Sequence, residues 1–189
     1  MTRNFSDDPV DDEHVALLVQ WARRGPSAGN SQSLHVLVLQ GPDTARYWDT
    51  TLAPAARPTF PWPGLLRAPV LLVPWVEPQR YVERYAEADK ARTGLGEGTD
   101  AWSVPYWWVD GGAAVQSVLL GAEALGLGAC FFGQFDHEPA VRRTFGVPDA
   151  FRAVGTIAVG HPSPDGDRRS LSARRGRRSD DETVHWGTW

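Results

Sequence analysis

The segment from Asp110 to Leu125 constrains the fold most, because it combines helical periodicity with many small residues. Its large apolar residues recur at helical spacing: Val115, Val118, Leu119 and Leu125. Small residues fill much of the remainder: Gly111, Gly112, Ala113, Ala114, Gly121 and Ala122. Another backbone can therefore approach this helix closely. Gly126-Leu127-Gly128 follows and is typical of a left-handed helix cap. We predict a central, buried helix over residues 110–125.

Shorter helical and extended patterns fill the rest of the chain. Helices are predicted over residues 12–24, 44–52, 81–90 and 139–145, and strands over residues 34–39, 70–76, 129–132 and 152–160. The proline-rich stretch 53–64 and the glycine-rich stretch 93–100 are predicted loops. Helices and strands are mixed, and the strands are well separated in sequence. This order favours a sheet covered by helices, in the α/β or α+β class.

Composition excludes several kinds of protein. The length of 189 residues fits one domain. The net charge of −4 argues against a nucleic-acid-binding protein. No apolar run approaches the ~20 residues that a membrane-spanning helix needs, and the N-terminal residues do not resemble a signal peptide. The single cysteine, Cys130, excludes an internal disulfide framework and a zinc cluster of thiolates. We therefore expect a cytoplasmic protein with neither a nucleic-acid nor a membrane partner.

The stretch Gly25-Pro26-Ser27-Ala28-Gly29-Asn30-Ser31-Gln32 indicates a binding loop. It lies between a predicted helix and a predicted strand. Proline and glycine stop the helix, and serine and asparagine provide hydroxyl and amide groups for hydrogen bonds. Small residues held between two ordered elements let a ligand approach the backbone closely.

Two further segments each allow two interpretations. The aromatic cluster Trp102, Tyr106, Trp107 and Trp108 could fill the core or a dimer interface, or could form a wall over a flat ligand. Arginines crowd residues 168–178, namely Arg168, Arg169, Arg174, Arg175, Arg177 and Arg178. They could form a solvated tail, or one or two of them could hold a phosphate.

Several catalytic motifs are absent from the sequence. Gly126-x-Gly128 with Gly133 follows a helix instead of a strand and does not fit the dinucleotide-binding fingerprint, and no phosphate-binding P-loop motif occurs. The five histidines are dispersed, so we expect no metal site. Ser27 lacks the nucleophile-elbow sequence of the serine hydrolases. Cys130 lies in an apolar run and is interpreted as a small core residue.

Four segments in order resemble the FMN-dependent nitroreductase family. Residues 2–5 with Pro9-Val10 resemble its opening R-x-F element, and residues 22–32 resemble its A-P-S-x-x-N-x-Q loop. Residues 110–128 resemble its central helix and turn. Residues 177–185 resemble its C-terminal R-[KR]-P-L-x-x-x-V-H element. The resemblance spans almost the whole chain.

The resemblance implies an α+β sandwich, with a mostly antiparallel central sheet covered by helices, in an intertwined homodimer. It implies FMN at the subunit interface, contacted by both chains. Residues 77–108 would be a variable part able to act as a lid, and residues 163–189 a C-terminal arm. After Gln32 the family often has Pro-Trp where this chain has Ser33-Leu34, and Ser179 replaces its C-terminal proline.

The same resemblance implies roles for individual residues. Arg3 and the C-terminal pair Arg177 and Arg178 match positions at the FMN phosphate. The loop residues Pro26, Ser27, Ala28 and Asn30 match the segment that reaches the ring from the partner subunit. Phe132, Gly133 and Gln134 match the segment beside the flavin N5 atom, where a backbone amide can donate. Trp107 and Trp108 have no family counterpart, and we expect them to influence acceptor choice.

A flavin would carry the chemistry, so no catalytic side chain is expected. The implied reaction transfers hydride from NAD(P)H to an electron-poor acceptor such as a nitroaromatic, a quinone or an enone. One alternative keeps the fold and the flavin but assigns a specialised reaction, such as dehydrogenation in secondary metabolism or the processing of a flavin or deazaflavin. Another is a non-catalytic flavin-binding protein.

Overall fold

The computed structural model of the protein describes residues 1–168 and 170–189. Its helices are α1 (Asp12–Arg24), α2 (Pro42–Thr51), α3 (Pro78–Ala86), α4 (Tyr106–Ala124), α5 (Glu138–Phe145) and α6 (Asp180–Thr183). Its strands are β1 (Leu34–Gln40), β2 (Val70–Val76), β3 (Gly128–Phe132), β4 (Arg152–Ala153) and β5 (Thr156–Gly160). Short 3₁₀ turns occupy much of the remaining chain, including both predicted loops.

The strands form one antiparallel sheet in the order β1-β2-β5-β3, with β4 paired to the end of β2. Leu72 lies at the centre of this sheet, opposite Val38 on one side and Ile157 on the other. The next pair across is Ile157 and Phe131. Residues adjacent in the sheet are thus far apart in sequence, as predicted for an α+β protein, and the sheet is antiparallel as expected.

The sheet separates two helical layers because side chains on a strand alternate between its faces. Val70 and Leu72 face a core shared with α1 and α4. Leu71 and Val73 face a second core shared with α2 and α5. All seven residues of β2 are buried, which identifies it as the central strand. The arrangement is a sandwich of helices, sheet and helices.

Helix α4 packs closely on its neighbours through glycines. A Cβ at Gly111 would lie 2.7 Å from Cγ2 of Val154, and one at Gly121 would clash with the ring of Trp21. The predicted close approach of another element is therefore confirmed. The helix begins at Tyr106 rather than at the predicted Asp110, because Pro105 sets its N-terminus and the bulky residues that follow continue it.

Two other elements differ from those predicted by more than two residues or are divided, and the remaining bounds differ by at most two residues. The predicted strand 152–160 is divided into β4 and β5, with Gly155 between them at a φ of +151°. The predicted helix 81–90 is α3, which begins earlier because Pro78 occupies its first turn and ends at Ala86 because Glu87 has extended backbone. In the described part of the C-terminal arm, the regular elements are a 3₁₀ turn and the short helix α6. Among the described residues, no helix has the length and apolar character to cross a membrane.

Candidate functional site

The loop Gly25–Gln32 connects α1 to β1 in an unusual backbone conformation. Gly29, Asn30 and Gln32 have φ values of +61°, +59° and +50°. Glycine adopts this left-handed region freely, whereas a residue with a side chain pays on the order of 1 kcal/mol for it. The loop therefore depends on contacts that hold its backbone in place.

Some of these contacts lie within the loop. The Ser31 hydroxyl donates to the carbonyl oxygen of Ala28 at 2.6 Å. The backbone N–H of Gln32 donates to Oγ of Ser27 at 3.2 Å. Ser31 is buried and Ser27 is half-buried, so the loop folds around its own small polar groups. This is local turn chemistry of the kind that serine provides.

Two side chains from other helices hold the same loop. A carboxylate oxygen of Asp110, on α4, accepts the backbone N–H of Ala28 at 2.8 Å. The Nε–H of Arg84, on α3, donates to the carbonyl oxygen of Gly29 at 2.8 Å. The loop backbone is thus fixed from two sides.

A first cavity of about 270 Å³ lies against this loop. Pro26, Ser27 and Asn30 line one part of it, and Tyr81 and Asp110 line another. The structure thus gathers three of the four predicted loop residues around one space. Ala28, the fourth, uses its N–H on Asp110 and lines a neighbouring aromatic groove.

A second cavity, of about 340 Å³, lies on the other side of the sheet. It is lined by Arg3 and by the predicted segment Phe132, Gly133 and Gln134. Aromatic side chains form much of the rest: Tyr47, Trp48, Phe60 and Trp62. Flat apolar walls with a few polar groups are typical of a site for a planar ligand.

Two guanidinium groups lie beside this second cavity. The guanidinium carbon of Arg3 is 5.1 Å from the ring centroid of Trp62, and that of Arg168 is 5.7 Å from the same ring. The backbone N–H of Arg3 donates to Asp167 at 2.5 Å, which fixes the start of the chain here. Arginine forks suit the recognition of an anionic group such as a phosphate.

A buried hydrogen-bond network supports the end of β3. The Gln134 side-chain amide donates to the Thr156 hydroxyl at 3.1 Å, and that hydroxyl lies 2.7 Å from the Tyr47 hydroxyl. Burial raises the pKa of Tyr47 to about 12. The phenol therefore stays protonated at neutral pH. Burial also raises the pKa of the Cys130 thiol in the same cavity wall, which fits a core residue and not a nucleophile.

The second cavity suits a ligand such as FMN. Oε1 of Gln134 and Nε1 of Trp48 are buried and have no hydrogen-bond partner among residues 1–168 and 170–189. Both atoms are inaccessible to solvent behind the cavity wall, so they do not by themselves indicate a ligand. The fit rests on the aromatic walls, which suit a flat ring, and on Arg3, which suits an anionic tail. The described residues contain no group of three metal-ligating side chains.

Other predicted residues lie elsewhere. Arg177 and Arg178 are exposed on the C-terminal arm and line neither cavity, so their phosphate contact stays a prediction. Trp107 is only 7% exposed and packs against Tyr81 and Trp102, which places it in the core. Trp108 is 42% exposed, so it is the member of the pair that a small molecule can reach. Both lie in the first turn of α4 and not in a separate loop.

Several residues that build these cavities were not predicted from the sequence. Trp48 and Trp62 come from segments predicted only as a short helix and a loop. Asp110 and Arg84 act through contacts with a loop that lies far from them in sequence. The composition of the loop indicates a binding segment, but nothing in the sequence indicates which distant side chains fix its backbone.

Comparison with known proteins supports this description. The model of the nitroreductase family matches residues 1–161. A 5,6-dimethylbenzimidazole synthase of Rhodospirillum rubrum is 30% identical over 92% of this chain and 85% of its own length. An NADH dehydrogenase of Thermus thermophilus is 28% identical over 87% of this chain and 83% of its own. An FMN-dependent nitroreductase of Clostridium difficile superposes with a TM-score of 0.67 at 18% identity, covering 100% of this chain and 94% of that one.

Proposed function

The chain belongs to the nitroreductase family, and on that premise we propose that it is an FMN-dependent oxidoreductase. It takes hydride from NAD(P)H and passes it to an electron-poor acceptor such as a nitroaromatic, a quinone or an enone. The family relationship supports the flavin and the nicotinamide donor. The acceptor class follows from the chemistry of a reduced flavin, which donates hydride to electron-poor groups.

The arrangement of the second cavity is the observation that carries this proposal. Arg3 would hold the phosphate, and the backbone amides of Gly133 and Gln134 would lie along the ring edge near N5. FMN bound there supplies the hydride chemistry, and the chain orients it and excludes water.

We propose that a second copy of the chain completes the site. The loop residues Pro26, Ser27, Ala28 and Asn30 are expected at the flavin ring, yet none of the residues that the structure describes lines both the first and the second cavity of one chain. The sheet separates the cavities within one chain. A homodimer that brings the loop of one copy to the second cavity of the other would unite both sets of contacts.

No side chain is required to transfer a proton in this proposal. Tyr47 and Cys130 both have raised pKa values and stay protonated at neutral pH. They therefore contribute packing and hydrogen bonds, and not acid–base catalysis. Donor and acceptor would use the same open face in turn, so we expect ping-pong kinetics.

The absorbance spectrum of the purified full-length chain tests the proposal. We expect a flavin spectrum after addition of FMN, bleaching by NADH or NADPH under anaerobic conditions, and recovery on addition of a quinone. A chain that takes up no FMN would contradict the proposal.

A second candidate is a specialised flavoenzyme reaction on the same fold. The observation that favours it is the 30% identity to the Rhodospirillum rubrum protein, whose name denotes a synthase and not a reductase. A chain that binds FMN but is bleached by neither nicotinamide would favour this second candidate over the first.

A further inference from the structure

The loop Gly25–Gln32 is held by two side chains that do not themselves belong to the expected set of flavin contacts. Asp110 accepts the N–H of Ala28 at 2.8 Å, and Arg84 donates to the C=O of Gly29 at 2.8 Å. These two backbone groups belong to consecutive residues. One side chain is anionic and accepts, and the other is cationic and donates, so each matches the polarity of the group it holds. Hydrogen bonds to charged groups are the stronger kind.

Asp110 is itself fixed in position. The hydroxyl of Tyr81, a fully buried residue on α3, donates to the same Asp110 carboxylate oxygen at 2.7 Å. Burial, together with the nearby carboxylate, raises the pKa of Tyr81 well above its ordinary value. Tyr81 therefore keeps its proton and donates throughout the neutral range. Asp110 thus connects α3, α4 and the loop.

Arg84 is also fixed. Two of its guanidinium nitrogens donate to the two carboxylate oxygens of Asp89, each at 2.8 Å. This bidentate pairing leaves Nε–H directed to Gly29, and it holds the pKa of the Asp89 carboxyl below its usual range. A side chain locked at its tip loses little further freedom when it bonds the loop.

The loop needs this support because its backbone conformation is unfavourable in isolation. Left-handed φ values at Asn30 and Gln32 persist only where surrounding contacts enforce them. Within the loop, the backbone N–H groups of Asn30 and Ser31 donate to the carbonyl oxygens of Ser27 and Ala28, and two neutral hydroxyl groups make further hydrogen bonds. The charged contacts from α3 and α4 add to these local bonds and fix the loop relative to the rest of the fold.

We propose that Asp110 and Arg84 are positioning residues that hold the loop Pro26–Asn30 in the conformation that contacts flavin across the dimer. They act through the loop backbone and not by touching the flavin. This inference rests on the proposed function, and it assigns a role in cofactor binding to two residues far apart in sequence.

Amide hydrogen exchange in the flavin-free full-length chain tests the support itself. We expect Arg84→Gln to accelerate exchange at residues 28–32 while the central strand β2 keeps wild-type protection. Arg80→Gln is the matched control, because Arg80 lies on the same helix and, within the described part of the chain, its side chain pairs with exposed Glu83 alone. Equal exchange in Arg84→Gln and Arg80→Gln would overturn the inference.

FMN titration of the same variants tests the consequence. Arg84→Gln and Asp110→Ala should each raise the FMN Kd about tenfold, the effect of losing one charge-assisted hydrogen bond. Arg80→Gln removes a surface charge from the same helix without touching the loop, so its FMN Kd should stay within about twofold of wild type. Arg84 is near the surface, so Arg84→Gln remains informative even where Asp110→Ala does not fold.

The outcomes separate this inference from the proposed function. Wild type that takes up no FMN would overturn the proposed function and this inference with it, whatever the exchange data show. Wild type that binds FMN, with Arg84→Gln binding equally well, would overturn this inference alone. A raised Kd at an unchanged unfolding temperature and unchanged β2 protection would establish positioning, because a general loss of structure would alter both.

Discussion

The hydroxyl groups of Tyr47 and Thr156 lie 2.7 Å apart in the core, on α2 and β5 respectively. Both residues are almost fully buried, at 1% and 0% exposure. The Thr156 hydroxyl also accepts the side-chain amide of Gln134, so one threonine joins the helical layer to the end of the cavity-lining segment. The position of Gln134, and of the backbone amide expected near the flavin, therefore depends on the packing of α2 against the sheet.

Replacing Thr156 with valine tests this network. Thr156→Val keeps the volume but leaves the Tyr47 hydroxyl and the Gln134 amide without their partner, which should lower the free energy of unfolding by about 1–3 kcal/mol. Urea denaturation gives the value. Thr59→Val, at an exposed threonine, is the control. The network would have no structural role if both variants lost the same amount.

Stability should fall at high pH because of Tyr47. Its pKa is raised from 10.0 to about 12 in the folded chain, so the folded state holds a proton that the unfolded state releases. The contribution of Tyr47 to the free energy of unfolding is complete below pH 10 and is lost as the pH rises toward about 12. Urea denaturation at about pH 9 and about pH 11 should show a smaller loss for Tyr47→Phe than for wild type. Ionisation of Tyr81, whose pKa is also raised by burial, accounts for part of the stability that Tyr47→Phe still loses at high pH. Identical losses in both proteins would contradict the raised pKa.

Two glycines of α4 should respond to alanine in opposite directions. A Cβ at Gly121 would clash with Trp21 and lie 3.0 Å from Cδ2 of Leu18, whereas a Cβ at Gly112 would meet nothing within 4 Å. Gly121→Ala should cost about 1–3 kcal/mol through overpacking. Gly112→Ala should gain up to about 1 kcal/mol from helix propensity. Thermal unfolding distinguishes them, and a stabilised Gly121→Ala variant would refute the close packing of α1 on α4.

Replacing Trp107 should affect stability, whereas replacing Trp108 should affect the choice of acceptor. Trp107→Ala removes a side chain packed against Tyr81 and Trp102, so we expect a loss of about 3–5 kcal/mol in unfolding free energy. Trp108→Ala removes a side chain that is 42% exposed, so stability should change little. Steady-state kinetics with a nitroaromatic and a quinone should show a changed acceptor preference in Trp108→Ala. Unchanged ratios of kcat/KM would reject a role of Trp108 in acceptor choice.

Much of the fold could be predicted from the sequence because its patterns are strong. The predicted bounds of α1 and of β2 match those in the structure, since the first has clear helical spacing and the second is a continuous apolar run. The start of α4 was predicted too late because three consecutive bulky residues, Tyr106 to Trp108, do not show helical periodicity by themselves. Residues 152–160 could not be recognised as two strands, because the break depends on how Gly155 packs against Phe131.

The candidate site was predictable only in part. The loop Gly25–Gln32 could be predicted from its composition. The positions within it that have left-handed backbone conformation could not be predicted. The contact between Ala28 and Asp110 joins residues 82 positions apart, so it depends on the tertiary fold. Trp48 and Gln134 line the same cavity only because the tertiary fold brings α2 to the end of β3. Local sequence patterns do not contain that information.

The shared site can be tested most directly by complementation between two inactive chains. One chain would carry Arg3→Glu, which reverses the charge in the second cavity. The other would carry Ser27→Trp, which blocks the loop. Each chain with its own tag would be expressed alone and together, and the mixed pairs isolated through both tags and titrated with FMN.

If one copy supplies the loop and the other the second cavity, each variant alone binds little FMN. In the mixed pair one site combines both substitutions and the other is intact, so it should bind about half the wild-type amount of FMN per chain. If each site were built within one chain, both sites of the mixed pair would be damaged. A mixed pair that binds no more FMN than either variant alone would therefore contradict the shared site.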